Sequence, residues 1–469
     1  MTQSAEGIRP EPVTKARDAR MRVLHFVPRV PWPLNTGAKL RNYHLAREIA
    51  GRASITLLAF SEGEQMAQAR APVDESSTEP ILESPESFYA RVILVGRDQG
   101  YTLAKIVRGA IGRTPLPVLN YTTPAMKEAL ARVLDEQDFD VVQVESIHLA
   151  EYLPIIQAAR HTPLVICDWH NIESELMWRY SERQTSVLRR TYARRASRQM
   201  SNLERRAMRE FDAHVVVSKR DGDRLQLLAP QARIFLIENG VDTAYYTDER
   251  INQAHAVWLK EQKRADSNLQ ETLAGSPSTP EPEQKPRRVA FVGSMDYHAN
   301  VDAAVSFATE VWPRLHKEQP DLIFTIVGRD PAEEVCQLAQ MPGIEVTGTV
   351  DDVRPYYYET LAAIIPLRVG GGSRLKILEA MAAGVPVIST TLGAEGLDVQ
   401  DGKNILIAET SEDFCAALTR LDEERRRTLI AGGRALVFEQ YDWSRLGALL
   451  FETYESLLSK DEVSDAQAL

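Results

Sequence analysis

Short apolar runs separated by amphipathic stretches pattern most of the chain. Arg22–Val27 reads as a strand, Gly37–Gly51 as a helix and Ile55–Phe60 as a second strand. Strand-type runs recur at Val141–Val144, Leu164–Cys167, His214–Val217 and Ile234–Ile237, with helical periodicity between them. Near-continuous apolar strands alternating with helices predict a parallel sheet covered on both faces. Residues 61–87 are polar and rich in Pro, Ser and Glu, and read as a loop insertion. Ile251–Arg288 ends in LAGSPSTPEPEQKPRR; it reads as too polar and proline-rich to fold alone, a linker or mobile insertion.

The alternation then restarts. It predicts strands Val289–Val292, Leu322–Val327, Glu345–Thr347, Ala362–Pro366 and Val385–Ser389. Helices are expected at Val301–Leu315, Pro331–Gln340 and Val353–Tyr358, and from Ser411 onward. The fold class is therefore α/β, with two doubly wound parallel-sheet domains in tandem. The expected divisions are a disordered tail (1–20), a first domain (21–248), a flexible linker (249–286) and a second domain (287–440). A closing helix (441–460) is expected to pack back on the first domain.

Composition narrows the function classes. At 469 residues, with 44% hydrophobic and 26% charged positions, the chain has the make-up of a globular protein with two cores. A formal charge of −11 argues against nucleic acid as the main partner. Cys167, Cys336 and Cys415 are widely spaced and match no metal or disulfide framework, which fits a reducing cytoplasm. No apolar run is long enough to span a bilayer, and the polar start has no signal-peptide core. The expected location is cytoplasmic, at most at the inner face of the membrane.

The strongest chemical signal is VGGGSRLKILEAMAAGVPVIST, Val369–Thr390. Glycines running into a helix start leave backbone N–H groups bare beside the positive end of the helix dipole, a cradle for phosphate. Arg374 and Lys376 in the first turn can supply formal charge to a diphosphate. Lys376 and Glu379 stand three apart, a spacing that also suits a weak surface pair. Arg374 falls near the apolar stripe of Leu375, Leu378 and Met381, which it escapes only by pointing along the axis into a cleft.

Several segments together carry a family resemblance. VPRVPWPLNTGAKLRNYHLAREIA, VVVSKRDGDRL with IENGVDTAYY, FVGSMDYHANVDAAVSF, TIVGRD, IEVTGTVDDVRPYY and the glycine-rich segment follow the order found in retaining GT-B glycosyltransferases of family 4. The resemblance spans nearly the whole chain. It implies hexosyl transfer from a nucleotide-diphosphate sugar to a glycan or lipid-linked acceptor, with retention and no metal or other cofactor, in envelope or exopolysaccharide synthesis. A non-catalytic nucleotide-sugar-binding relative is the rival.

Two departures from the family pattern stand out. The paired-glutamate signature keeps its second member, Glu379, a ribose contact, but has Gly371 in place of the first. The Arg and Lys that usually reach the diphosphate are replaced by Ser294 and Asn300. The resemblance implies catalytic roles for His170, Arg374 and Lys376. It implies substrate contacts for Gly37, Ser294, Arg329, Gly371, Gly372, Ser373, Leu375 and Glu379. Gly37 also reads as an ordinary left-handed turn glycine. The arginine-rich stretch Arg179–Arg209 is by default a solvated helix face; the sharper reading is a contact with anionic lipid.

Overall fold

Both predicted sheets form. The computed structural model describes residues 20–61, 88–97, 102–272, 287–358, 360–369 and 374–466. The first sheet contains β1 (Met21–Val27), β2 (Ala53–Ser61), β3 (Arg91–Gly96), β4 (Val141–Glu145), β5 (Leu164–Trp169), β6 (Ala213–Val216) and β7 (Ile234–Leu236), in the order β3-β2-β1-β4-β5-β6-β7. The second contains β8 (Arg287–Val292), β9 (Leu322–Val327), β10 (Ile344–Val346), β11 (Thr360–Ile365), β12 (Val387–Ser389) and β13 (Leu406–Ile407), in the order β10-β9-β8-β11-β12-β13. Every pairing is parallel, as strands buried on both faces require. The order reverses between β1 and β4 in the first sheet and between β8 and β11 in the second. At such switch points the loops leaving the carboxyl ends diverge and open a crevice.

The helices used below are α1 (Gly37–Ile49), α2 (Leu103–Ile111), α3 (Glu173–Arg183), α4 (Val187–Glu210), α5 (Asp248–Thr272), α6 (His298–Ser306), α7 (Leu375–Ala382) and α8 (Trp443–Ala466). The chain crosses between the domains twice, and the two crossings pair. Val241 N–H donates to the Tyr441 carbonyl at 2.8 Å. A side chain at Gly240 would lie 2.6 Å from that carbonyl, so the close approach needs glycine. Helix α8 then returns to the first sheet, where Trp443, Leu450 and Tyr454 join its core and Trp443 stacks on His44.

Two expectations need correction. The stretch read as a flexible linker begins with a helix, α5, held on the second domain. Ile251 is buried in that core, and the His255 ring stacks on Tyr358 at 3.8 Å between centroids. Every proline and glycine of the stretch follows Thr272, so α5 itself holds no helix breaker. The predicted helix Val301–Leu315 is interrupted by a π-turn at Phe307–Val311. Pro313 lacks the N–H that would continue the α ladder, and the wider turn absorbs the loss. The tail (1–19), the insertion 62–87, residues 273–286 and the glycine turn 370–373 lie outside the described residues.

Candidate active site

Polar side chains interrupt two otherwise apolar strands of the first domain. His25 on β1 and Gln143 and Glu145 on β4 are all buried. Glu145 accepts from His25 Nε2 at 3.1 Å, from His170 Nε2 at 2.8 Å and from the Gln143 amide at 2.5 Å. Burial alone would raise the Glu145 carboxyl, but the two histidine hydrogen bonds outweigh it and hold the group below the usual carboxylate range. His170 follows the end of β5, with its ring partly open to solvent. Burial disfavours its charged form; the Glu145 hydrogen bond and the charges of Asp168 and Glu145 override that and raise its pKa. With Nε2 committed to Glu145, Nδ1 is the ring atom left for a ligand.

Beside it, Asp168 takes a two-pronged contact from Arg41, at 2.9 Å from Nη2 and 3.1 Å from Nε. Arg41 also donates to the Glu238 carbonyl at 2.9 Å, tying α1 to the strand end and to the interdomain crossing. Glu145, Asp168 and His170 bring ligand-type atoms within 4.8 Å of one another. Their oxygens are engaged by Arg41 and the histidines, so the cluster is a hydrogen-bond network. Gly37 opens α1 without the positive φ expected of a left-handed turn glycine, behind a Thr36 cap.

In the second domain β8 and β9 end on paired glycines. A Cβ on Gly328 would lie 1.6 Å from the Gly293 carbonyl oxygen, and one on Gly293 would lie 3.4 Å from Lys376 Nζ. Lys376 on α7 reaches back to this strand end. Its ammonium donates to Asn300 Oδ1 at 2.5 Å and sits 4.9 Å from the Phe291 ring centroid. Burial, helped by the nearby Arg374 charge, lowers its pKa to about 8. Glu379, one turn on, is raised by burial to about 7, with Lys376 opposing. Asn300 Nδ2 donates to the Ser294 carbonyl at 2.8 Å, and Arg329 Nε donates to Ser294 Oγ at 2.9 Å. Leu375 packs half-buried against the core, which leaves its backbone for a ligand.

A cleft separates the two domains. His170, Glu175 and Asn239 border it from one side, and Arg374, Glu395 and Tyr441 from the other. Arg374 is 7% exposed and does turn toward the cleft, as its place beside the apolar stripe required. It is not free there: Nη2 lies 3.5 Å from Glu395 Oε2 and Nε donates to the Glu395 carbonyl at 3.4 Å. Glu395 also meets Arg220 of the first domain at 3.4 Å.

The structure thus gathers Ser294, Arg329 and Lys376 about the ends of β8 and β9, with Glu379 one turn further along α7, and sets His170 and Arg374 on one cleft. Gly371, Gly372 and Ser373 lie outside the described residues. Sequence reasoning missed His25, Arg41, Gln143, Glu145 and Glu395. For the strand residues a signal existed, a polar position within a run patterned for burial on both faces.

The sequence model described as Glycosyl transferases group 1 matches residues 286–424, and that of Glycosyltransferase Family 4 matches residues 35–245. A Klebsiella pneumoniae protein, "Uncharacterized 44.6 kDa protein in cps region", is 24% identical over 35% of this chain and 45% of its own length. The phosphatidyl-myo-inositol mannosyltransferase of Mycobacterium leprae is 28% identical over 36% of this chain and 47% of its own. The chain spans about half the length of the curated relatives it matches. Among solved structures, Anabaena Alr3699/HepE in complex with UDP and glucose is similar in fold. Its TM-score is 0.57 at 14% identity, covering 93% of this chain and 100% of that one. With residues 35–245 and 286–424 matched in turn by the two glycosyltransferase models, one in each domain, the chain belongs to glycosyltransferase family 4.

Proposed function

We propose that the chain transfers a sugar from a nucleotide-diphosphate sugar to an acceptor hydroxyl, with retention and without a metal. The observation that carries this reading is the second-domain cluster. Lys376 is anchored on Asn300 beside two strand-end glycines, with Glu379 a turn further on. In this reading the diphosphate lies along the glycine strand ends, with Lys376 and Arg374 opposite the negative charge that grows on the leaving nucleoside diphosphate. Arg374 exchanges its Glu395 partner for that charge. Glu379 accepts from the ribose, and His170 Nδ1 faces the donor sugar across the cleft. The acceptor, a glycan or lipid-linked glycan, enters from the first domain. Its oxygen bonds to the anomeric carbon as the bond to the diphosphate breaks, and its proton leaves with the diphosphate. A cytoplasmic role in envelope or exopolysaccharide synthesis fits the relative named for a cps region.

The test is to incubate the protein with a panel of nucleotide sugars and follow diphosphate release with and without acceptor glycans. Release that depends on acceptor supports transfer. Binding without turnover for every donor would instead make this a non-catalytic nucleotide-sugar-binding member, the outcome that the glycine at position 371 would then explain. Arg374→Ala should abolish most turnover while leaving melting nearly unchanged.

A further inference from the structure

Helix α2 is built inside out. Its buried residue is Gly109, which faces Leu116 so closely that an added Cβ would lie 2.9 Å from the Leu116 Cβ. Its apolar residues Leu103, Ile106, Val107 and Ile111 share the opposite face and point into solvent, with Leu103 77% and Ile111 75% exposed. The start of α4 does the same with Val187 and Leu188, 64% and 83% exposed. The two helices are stitched together. Gln199 Nε2 donates to the carbonyls of Gly109 and Gly112 at 2.9 and 2.8 Å, and Arg195 donates to Gly112 at 3.1 Å. Contiguous exposed apolar surface of this kind marks a place that something covers.

The surrounding charge identifies what covers it. Helix α2 and the turn after it carry Lys105, Arg108 and Arg113; the first half of α4 carries Arg189, Arg190, Arg194, Arg195 and Arg198. No Asp or Glu occurs in residues 102–127 or 184–203, in a chain whose formal charge is −11. Among the described ion pairs of Arg179–Arg209, only Arg179 and Arg206 take part, with Glu175, Glu151 and Glu210. We propose that α2 and the first half of α4 form one docking face for an anionic lipid bilayer. The Leu/Ile/Val stripe enters the acyl boundary and the arginines meet the headgroup phosphates. No helix among the described residues is long and apolar enough to cross a membrane, so the contact is peripheral. Helix α3 runs from the cleft, which Glu175 and Leu176 line, toward this face, a span of about 16 Å. The proposal does not depend on the transfer reaction.

The full chain should sediment with vesicles of equimolar phosphatidylcholine and phosphatidylglycerol, weaken as salt rises, and ignore phosphatidylcholine alone. Arg189→Gln and Arg190→Gln should each lower partitioning about fivefold. The pair Leu103→Ser and Ile111→Ser should lower it at unchanged charge, and melting should hold because these side chains are exposed. Failure of the wild-type chain to bind the mixed vesicles at low salt overturns the proposal. So does wild-type binding by the serine pair, which would leave α2 out of the contact. Self-association in sedimentation velocity that the serine pair abolishes would assign the face to a second copy, and would overturn it too.

Discussion

Replacing Glu145 with Gln removes a charge and almost nothing of the side chain's shape. The perturbation falls on a carboxylate that is buried and serves two histidines at once. A charge-assisted hydrogen bond of this kind contributes about 1.5–3 kcal/mol, and one pKa unit corresponds to about 1.4 kcal/mol. Loss of the Glu145 charge should therefore lower the His170 titration midpoint. The folded pKa of His170 is raised, so its share of stability is present below the unfolded value, near 6.5, and is lost as pH climbs through the folded value. The Glu145 carboxyl is depressed, so its share is present above about 4.5 and is lost as pH falls through the lower folded value. Both arms of the stability profile should flatten in Glu145→Gln.

The assay is proton–carbon NMR of the histidine rings from pH 5 to 9, with His170→Asn assigning the resonance, alongside thermal melts that extend the range down to about pH 2 to cover the acid arm. If His170 acts on the donor as an imidazolium, the alkaline limb of kcat/KM should move down with the NMR midpoint. An unchanged midpoint in a folded Glu145→Gln protein would refute the claim that Glu145 sets the state of His170.

Four further outcomes are expected. Lys376→Met keeps an apolar stem but loses the ammonium; affinity by calorimetry for the nucleoside diphosphate of the proposed donor should fall about 10- to 100-fold, and the decline of wild-type affinity as pH rises through about 8 should vanish. Glu379→Gln should weaken binding of that diphosphate yet raise melting at pH 8, because a carboxyl whose folded pKa is raised from 4.5 to about 7 costs stability as pH rises across that window, by at most about 3 kcal/mol. Gly328→Ala forces a methyl into the Gly293 carbonyl and should destabilise the second domain by several kcal/mol in urea melts or remove diphosphate binding. Asn300→Lys should lower diphosphate affinity, and a double-mutant cycle with Lys376→Met should show strong coupling between the two sites.

Legibility in the sequence followed the range of the interaction. Strands such as Leu322–Val327 were readable because burial on both faces writes itself into six consecutive residues. Strand β13 spans two residues and left no pattern to read; β3 does carry an apolar run, Val92–Val95, but it goes unread beside the polar insertion that precedes it. The linker was misread because one composition was assigned to a stretch in which all the prolines follow α5. The polar network was least legible, since His25 and Glu145 are 120 positions apart and Arg41 and Asp168 are 127 apart. The interrupted strand pattern marked the buried polar residues but could not name their partners.

The second-domain site differs most from its reading in the sequence. In the sequence, Asn300 at the position of the resemblance's lysine reads as a loss of charge, and Lys376 at a helix start as a separate candidate to supply it. In the structure they touch, and the Asn300 amide is used at both ends, accepting from Lys376 and donating to the Ser294 carbonyl. A lysine at 300 would set two ammonium groups within hydrogen-bond reach of one another, at a strand end where burial already depresses one of them. An asparagine instead accepts from the Lys376 ammonium and holds it beside the Gly293 backbone. The asparagine at 300 and the lysine at 376 are therefore one arrangement, in which α7 delivers an ammonium to the strand end that also holds Arg329.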